Sequence, residues 1–299
     1  MRSLWTMVKR NIKLFYRNKP NVFFSVLALL ILLVLHFAVF RTMFSDSWME
    51  IMAQFPGVEV QRADLLWLTD SLMFATIFPI GAITVSLTSL GLMVNDREKG
   101  VFADFMTAPF DRNKLLASYL FSSIIITAVI LFLFLAVFEI YFLALYGVSF
   151  SLSQVGQITI VIALSLLFAN VFMLLIISFF KRQQSLAAVG TIIGTLVGFL
   201  SGAYIMVGMF GDTIRNIFGM LPFLQLTVLS RQAFLSRLEE VTPLTHDMLA
   251  GELARDFGFE LWIGDKMISY RLTILIIVAT TCVILVLLSL TFSRLRDAE

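Results

Sequence analysis

In this chain of 299 residues, 59% are hydrophobic and only 14% charged, and the mean hydropathy is +0.93. A water-soluble globule needs more charge than that to cover its outside, so the chain reads as a polytopic membrane protein. The formal net charge of +2 gives no reason to expect a nucleic-acid partner. The single cysteine, Cys282, excludes an internal disulfide and a cysteine-based metal site.

The first twenty residues are basic and amphipathic. Leu4, Val8, Ile12 and Phe15 recur at helical spacing, with Trp5 and Tyr16 beside them. Arg2, Lys9, Arg10, Lys13 and Arg17 take much of the remaining surface. The pattern predicts a helix lying in the membrane interface over residues 1–20, with Pro20 marking the bend into the first span. The apolar run from Val22 to Phe40 exceeds a signal-peptide core of about 7–15 residues and no cleavage site follows, so a retained anchor is expected.

Six segments reach the roughly 20 residues that a crossing requires. They are Asn21–Phe40, Ser71–Val94, Leu115–Tyr146, Val155–Phe180, Leu186–Phe210 and Arg271–Phe292. The stretch Ile214–Phe234 is apolar too, but Pro222, Arg215, Gln225 and Arg231 interrupt it, which predicts a re-entrant hairpin. The expected fold class is an all-α membrane protein with six transmembrane helices over residues 21–299, a coupling helix at 96–109 and a re-entrant outer cap at 211–270. Within the cap, residues 245–257 predict a short helix ending before Gly258. Fourteen of the 22 basic residues fall in the amino terminus, the loops after the second and fourth spans, and the tail. By the positive-inside rule these segments and both termini are cytoplasmic, in a cell membrane, here expected to be bacterial.

Soluble catalytic machinery is missing. There is no Gly-x4-Gly-Lys-Ser/Thr, no His-Glu-x2-His and no Gly-x-Ser-x-Gly. No metal site is expected. Glu139 and His36 are the polar residues expected within spans, Glu139 to line a path or pair within the bundle and His36 as a packed or interfacial group. Asp70 reads as an interfacial cap on the second span. Gly190, Gly194, Gly198 and Gly202 recur every four residues and bare one helix face, which suits close packing, a dimer seam or the wall of a path.

The loop after the second span is the most distinctive. Asp96, Arg97, Glu98, Lys99 and Gly100 precede a two-turn apolar stretch with Phe102, Phe105 and Met106 on one face, and Pro109 breaks it. A short aromatic helix behind a charged loop suits burial in a partner's groove. This constellation resembles the ABC type-2 exporter permeases. The matching pieces are Asn95-Asp96-Arg97-Glu98-Lys99-Gly100 with Pro109 nine residues on, Arg112-Asn113-Lys114-Leu115-Leu116, Leu200-Ser201-Gly202 and Leu221-Pro222. The resemblance implies a separate ATPase subunit holding ATP and magnesium, a second permease copy or homologue, and outward transport. It implies that the segment from Asp96 to Pro109 docks into the ATPase, and that the first and fifth spans flank the substrate path. Phe-rich, charge-poor walls suggest an amphipathic or hydrophobic cargo: a drug, an antimicrobial peptide or a lipid. An ion-coupled transporter or channel, or an intramembrane enzyme, would need convergent ionisable or polar groups that the sequence does not display.

Overall fold

The computed structural model describes residues 2–53, 59–101, 112–205, 207–264 and 266–297. Among them, six helices are long and apolar enough to cross a membrane: Lys19–Met52, Arg62–Glu98, Asn113–Tyr146, Leu152–Ser178, Gln183–Leu200 and Tyr270–Leu290. The expected all-α membrane fold is present, with one addition, a two-stranded hairpin pairing Leu261–Ile263 with Lys266–Ile268. An amphipathic helix, Arg2–Arg17, precedes the spans. It buries Val8, Asn11 and Phe15 and leaves Trp5 and Tyr16 exposed. Asn18 then caps the first span through the Asn21 N–H, and Pro20 sits in the first turn, where its missing N–H costs nothing.

The second span is the hub. In its most apolar window 83% of residues are buried, against 22% in the first span and 17% in the fifth. Every other transmembrane helix therefore keeps a lipid-facing or partner-facing side, while the second is surrounded. Gly81 permits this crowding. A Cβ there would stand 2.8 Å from Leu131 and 3.0 Å from Leu29, so three spans meet at a bare backbone. Polar side chains stitch the same helix to its neighbours. Ser89 and Ser123 share a 2.6 Å hydrogen bond, Ser123 donates to Asn170, and Ser230 donates to the Ala75 carbonyl at 2.7 Å.

Two spans differ from the sequence expectation. The first does not stop at Phe40. It continues to Met52 through a π-helical turn at His36–Phe40, and the extension places Trp48 in a stack on Phe257, 3.9 Å between ring centroids. Conversely the fifth stops at Leu200, not Phe210. Gly202, at φ +64°, closes it with a Schellman motif: the Gly202 N–H bonds the Phe199 carbonyl and the Ala203 N–H bonds the Gly198 carbonyl, both at 3.0 Å. Tyr204 then folds back over Gly198. The glycine row is therefore not one seam. Gly190 touches Leu87, Gly194 has nothing within 4 Å, Gly198 seats a ring and Gly202 is a helix terminator.

The re-entrant pair is present as Asp212–Met220 and Pro222–Phe234, broken at Leu221. The second helix is buried almost throughout and packs on the second, fourth and sixth spans. The predicted cap helix over 245–257 shrinks to Glu252–Asp256, because Gly251 takes φ +75° and forces a new start. Gly258 follows at φ +67°, as a helix terminator should.

These glycine geometries separate experimentally. Gly202→Ala places a Cβ at positive φ and is expected to destabilise the folded chain by about 1–2 kcal/mol. Gly194→Ala, in open helix interior, is expected to be neutral or stabilising by up to about 1 kcal/mol. Thermal unfolding of the two detergent-solubilised variants reads the difference.

Candidate functional site

At the interface-helix end, the charged residues that close the second span are used within the chain. Asp96 is only 3% exposed. It accepts hydrogen bonds from Arg10 at 2.7 Å and from the Tyr119 hydroxyl at 2.6 Å, tying the interface helix and the third span to the second. Partial burial works against the Arg10 charge, yet the hydrogen bonds to Asp96 outweigh it and hold the guanidinium above its ordinary pKa. Arg97 donates to the carbonyls of Ser178 and Phe180, at the carboxyl end of the fourth span. Glu98 accepts from the Gln183 N–H at 3.0 Å, at the amino end of the fifth. Each charge thus meets the helix terminus of complementary dipole, and both satisfy groups that a helix cannot satisfy itself. The Gln183 amide completes the brace by donating to the Gly91 carbonyl at 2.6 Å.

Beside this brace lies a groove of about 1570 Å³. The interface helix and the first, second and fifth spans wall it. Phe24 and Ile31, Leu87 and Gly91, and Leu186 and Gly190 face it from the three spans, and Arg17, Lys19 and Lys99 stand at its mouth. Its lining mixes these apolar side chains with Asn18, Asn21, Thr88, Asn95, Asp96, Gln183 and Thr191, and it is open rather than enclosed.

The opposite end holds a second buried carboxylate. Asp70 has no exposed surface. It accepts from His36 Nε2 at 2.7 Å, Arg41 Nε at 3.0 Å, the Tyr141 hydroxyl at 2.6 Å and the Tyr146 hydroxyl. The π-turn explains how His36 and Arg41 reach one acceptor. Residues five apart lie about 140° apart around an α-helix, and an i→i+5 turn brings them to one face. Asp70 is therefore not the interfacial cap that hydropathy suggested. It lies eight residues inside a helix that starts at Arg62, and it joins the first three spans.

His36 is buried with Asp70 as its partner, so it has the intramembrane pairing that spacing alone concealed. Glu139, expected to line a path or pair in the bundle, instead accepts from Ser149 at 2.6 Å and from the Phe150 N–H at 2.9 Å. It staples the short loop between the third and fourth spans. Of the predicted coupling residues, Lys99 is exposed and Gly100 takes φ +77° with open space around it. Phe102, Phe105, Met106 and Pro109 lie outside the described residues. The interior residues that sequence reasoning missed are Arg41, Tyr119, Ser123 and Asn170. Only their polarity within apolar runs could have marked them.

Breaking a buried, hydrogen-bonded ion pair by deleting one partner costs about 3–5 kcal/mol. Asp70→Ala is expected to lower folded yield and thermal stability by that order. Arg41→Ala is expected to do less, because His36 and both tyrosines still serve the carboxylate. Thermal unfolding of the purified variants gives the ranking.

Comparison with curated proteins and with solved structures gives no match. A family model described as ABC-2 type transporter matches residues 2–235, from the interface helix through the five spans that follow to the end of the re-entrant pair. The span that closes the second carboxylate knot, the brace and the groove all fall within that match. By this evidence the chain belongs to the ABC-2 type transporter membrane family and is a permease subunit of an ABC transporter, not its ATPase.

Proposed function

We propose that this permease works as one half of an ATP-driven exporter. A separate cytosolic ATPase, which holds ATP and magnesium, drives it through the segment 96–109. Both termini and the brace around Asp96 then face the cytoplasm, in keeping with the basic residues gathered at that end. The domain division follows: an interface helix at 1–20, and a six-span unit at 21–299 with its coupling segment and its cap at 211–270.

One observation carries this reading. The groove is walled by the first, second and fifth spans, and the first and fifth leave most of their most apolar windows unburied, only 22% and 17% being covered. A second permease, identical or different, placed against those faces would close the groove into a path. Gly194 offers open backbone for such an approach. A lining that mixes apolar side chains with basic and amide groups suits an amphipathic or hydrophobic cargo: a drug, an antimicrobial peptide or a lipid. The brace supplies the mechanics. Arg97 and Glu98 link the second span to the ends of the fourth and fifth, so a push on the loop that follows them reaches a wall of the groove. The motion would alternate access to the groove between the two membrane faces.

Phe102→Asp or Phe105→Asp is expected to leave the permease inserted and folded while abolishing transport and its stimulation of ATP hydrolysis in the purified complex. Transport that continued unchanged would remove the coupling assignment. Transport by the isolated chain in sealed vesicles, with no ATPase present, would remove the proposal itself.

A further inference from the structure

Arg231 lies in the second re-entrant helix and is only 4% exposed. Its terminal nitrogens donate to two carbonyls, Phe257 at 2.7 Å and Gly202 at 2.9 Å. Carbonyls solvate a guanidinium but do not neutralise it. Among the described residues no carboxylate forms an ion pair with Arg231. Asp256, next in the chain to the Phe257 carbonyl that Arg231 binds, is engaged by Arg215 together with Asp212, and Glu239 and Glu240 pair with His246 and Arg237. A buried full charge without a counter-charge is among the costliest arrangements a protein interior holds.

A second observation falls at the same place. The Arg231 Nε and the Trp48 Nε1 are both buried N–H donors without a partner. Both residues line one small cavity of about 20 Å³, together with Thr69, Met73, Gly202 and Phe257. That volume admits a single water-sized or halide-sized species and no polyatomic headgroup. A water would occupy the donors but leave the charge. An anion does both.

We propose that this cavity binds one monoatomic anion, chloride in the cell, between the Arg231 guanidinium and the indole N–H of Trp48. The site joins the outer extension of the first span, the start of the second, the turn after the fifth, the re-entrant helix and the cap. The anion therefore bolts the cap to the bundle. It stands apart from the groove and from coupling, and does not depend on the cargo.

The test uses the full chain, in the complex with which it purifies, reconstituted in lipid nanodiscs. Chloride replaces gluconate at constant ionic strength, and the unfolding midpoint is followed. The expected result is a saturable rise with chloride in the natural protein. Trp48→Phe keeps the aromatic stack and loses the N–H, and its half-saturating chloride is expected to rise about tenfold. Arg231→Met removes the charge, and its midpoint is expected to be indifferent to chloride. Bromide in crystals of the natural protein should give an anomalous peak within hydrogen-bond distance of both nitrogens. Equal midpoints in chloride and gluconate, the same chloride response in all three proteins, or a water in place of the bromide peak would each overturn the proposal. Should Arg231→Met not fold, the Trp48→Phe titration and the bromide peak decide alone.

Discussion

A carboxylate buried in a membrane protein must be fully bonded from within, and this chain places one at each end of its most enclosed helix. Asp70 and Asp96 stand 26 positions apart on the second span, about 39 Å at the rise of an α-helix. That is close to the full thickness of a bilayer with its headgroup regions. Each draws an arginine and tyrosine from neighbouring elements: Arg41, Tyr141 and Tyr146 at one end, Arg10 and Tyr119 at the other. The positions of the interface helix, the first span and the third span follow from satisfying those two groups. Apolar packing fills the distance between them without having to specify register.

The two ends differ in what else they hold. At the Asp70 end the neighbouring layers are aromatic and closed, with Phe74 stacked on Phe138 and Trp48 on Phe257. At the Asp96 end the helices splay around the groove, and beyond the Asp96 cluster the fourth and fifth spans are tied by hydrogen bonds from Arg97 and Glu98 to their ends. A bundle clamped at one end and braced at the other has its compliance concentrated at the braced end. In the proposed exporter that is where an ATPase would act, and the clamped end would hold the helices together while it does so.

Much of this was legible in the chain. The six spans, the interface helix and the break at Leu221–Pro222 follow from hydropathy and from proline, which act locally. Pairings between distant segments were not legible. Nothing in the spacing of His36, Arg41 and Asp70 announces that they meet, because the meeting needs a π-turn and a 37-residue helix that begins well before its apolar part. Gly202 misled for a similar reason. A repeat of glycines every fourth residue looks the same whether the last one packs or terminates, and only its positive φ distinguishes them. Glu139 lies within the third span as its apolar run suggests, but its partners come from the loop beyond Tyr146, which bends back to meet it. The docking role of Phe102 to Pro109 rests on sequence alone.

The π-turn amounts to one surplus residue wound into an otherwise ordinary helix. Its consequence is a phase offset. Everything downstream, from Arg41 to Met52, is rotated by about one residue's angular step, some 100°, from where uninterrupted winding would carry it. Straightening this turn into plain α-helix at unchanged length would therefore act like turning a key: the indole at position 48 would leave its seat, and the far lobe would lose the pin that aligns it, whereas excising the surplus residue along with the turn would keep that phase.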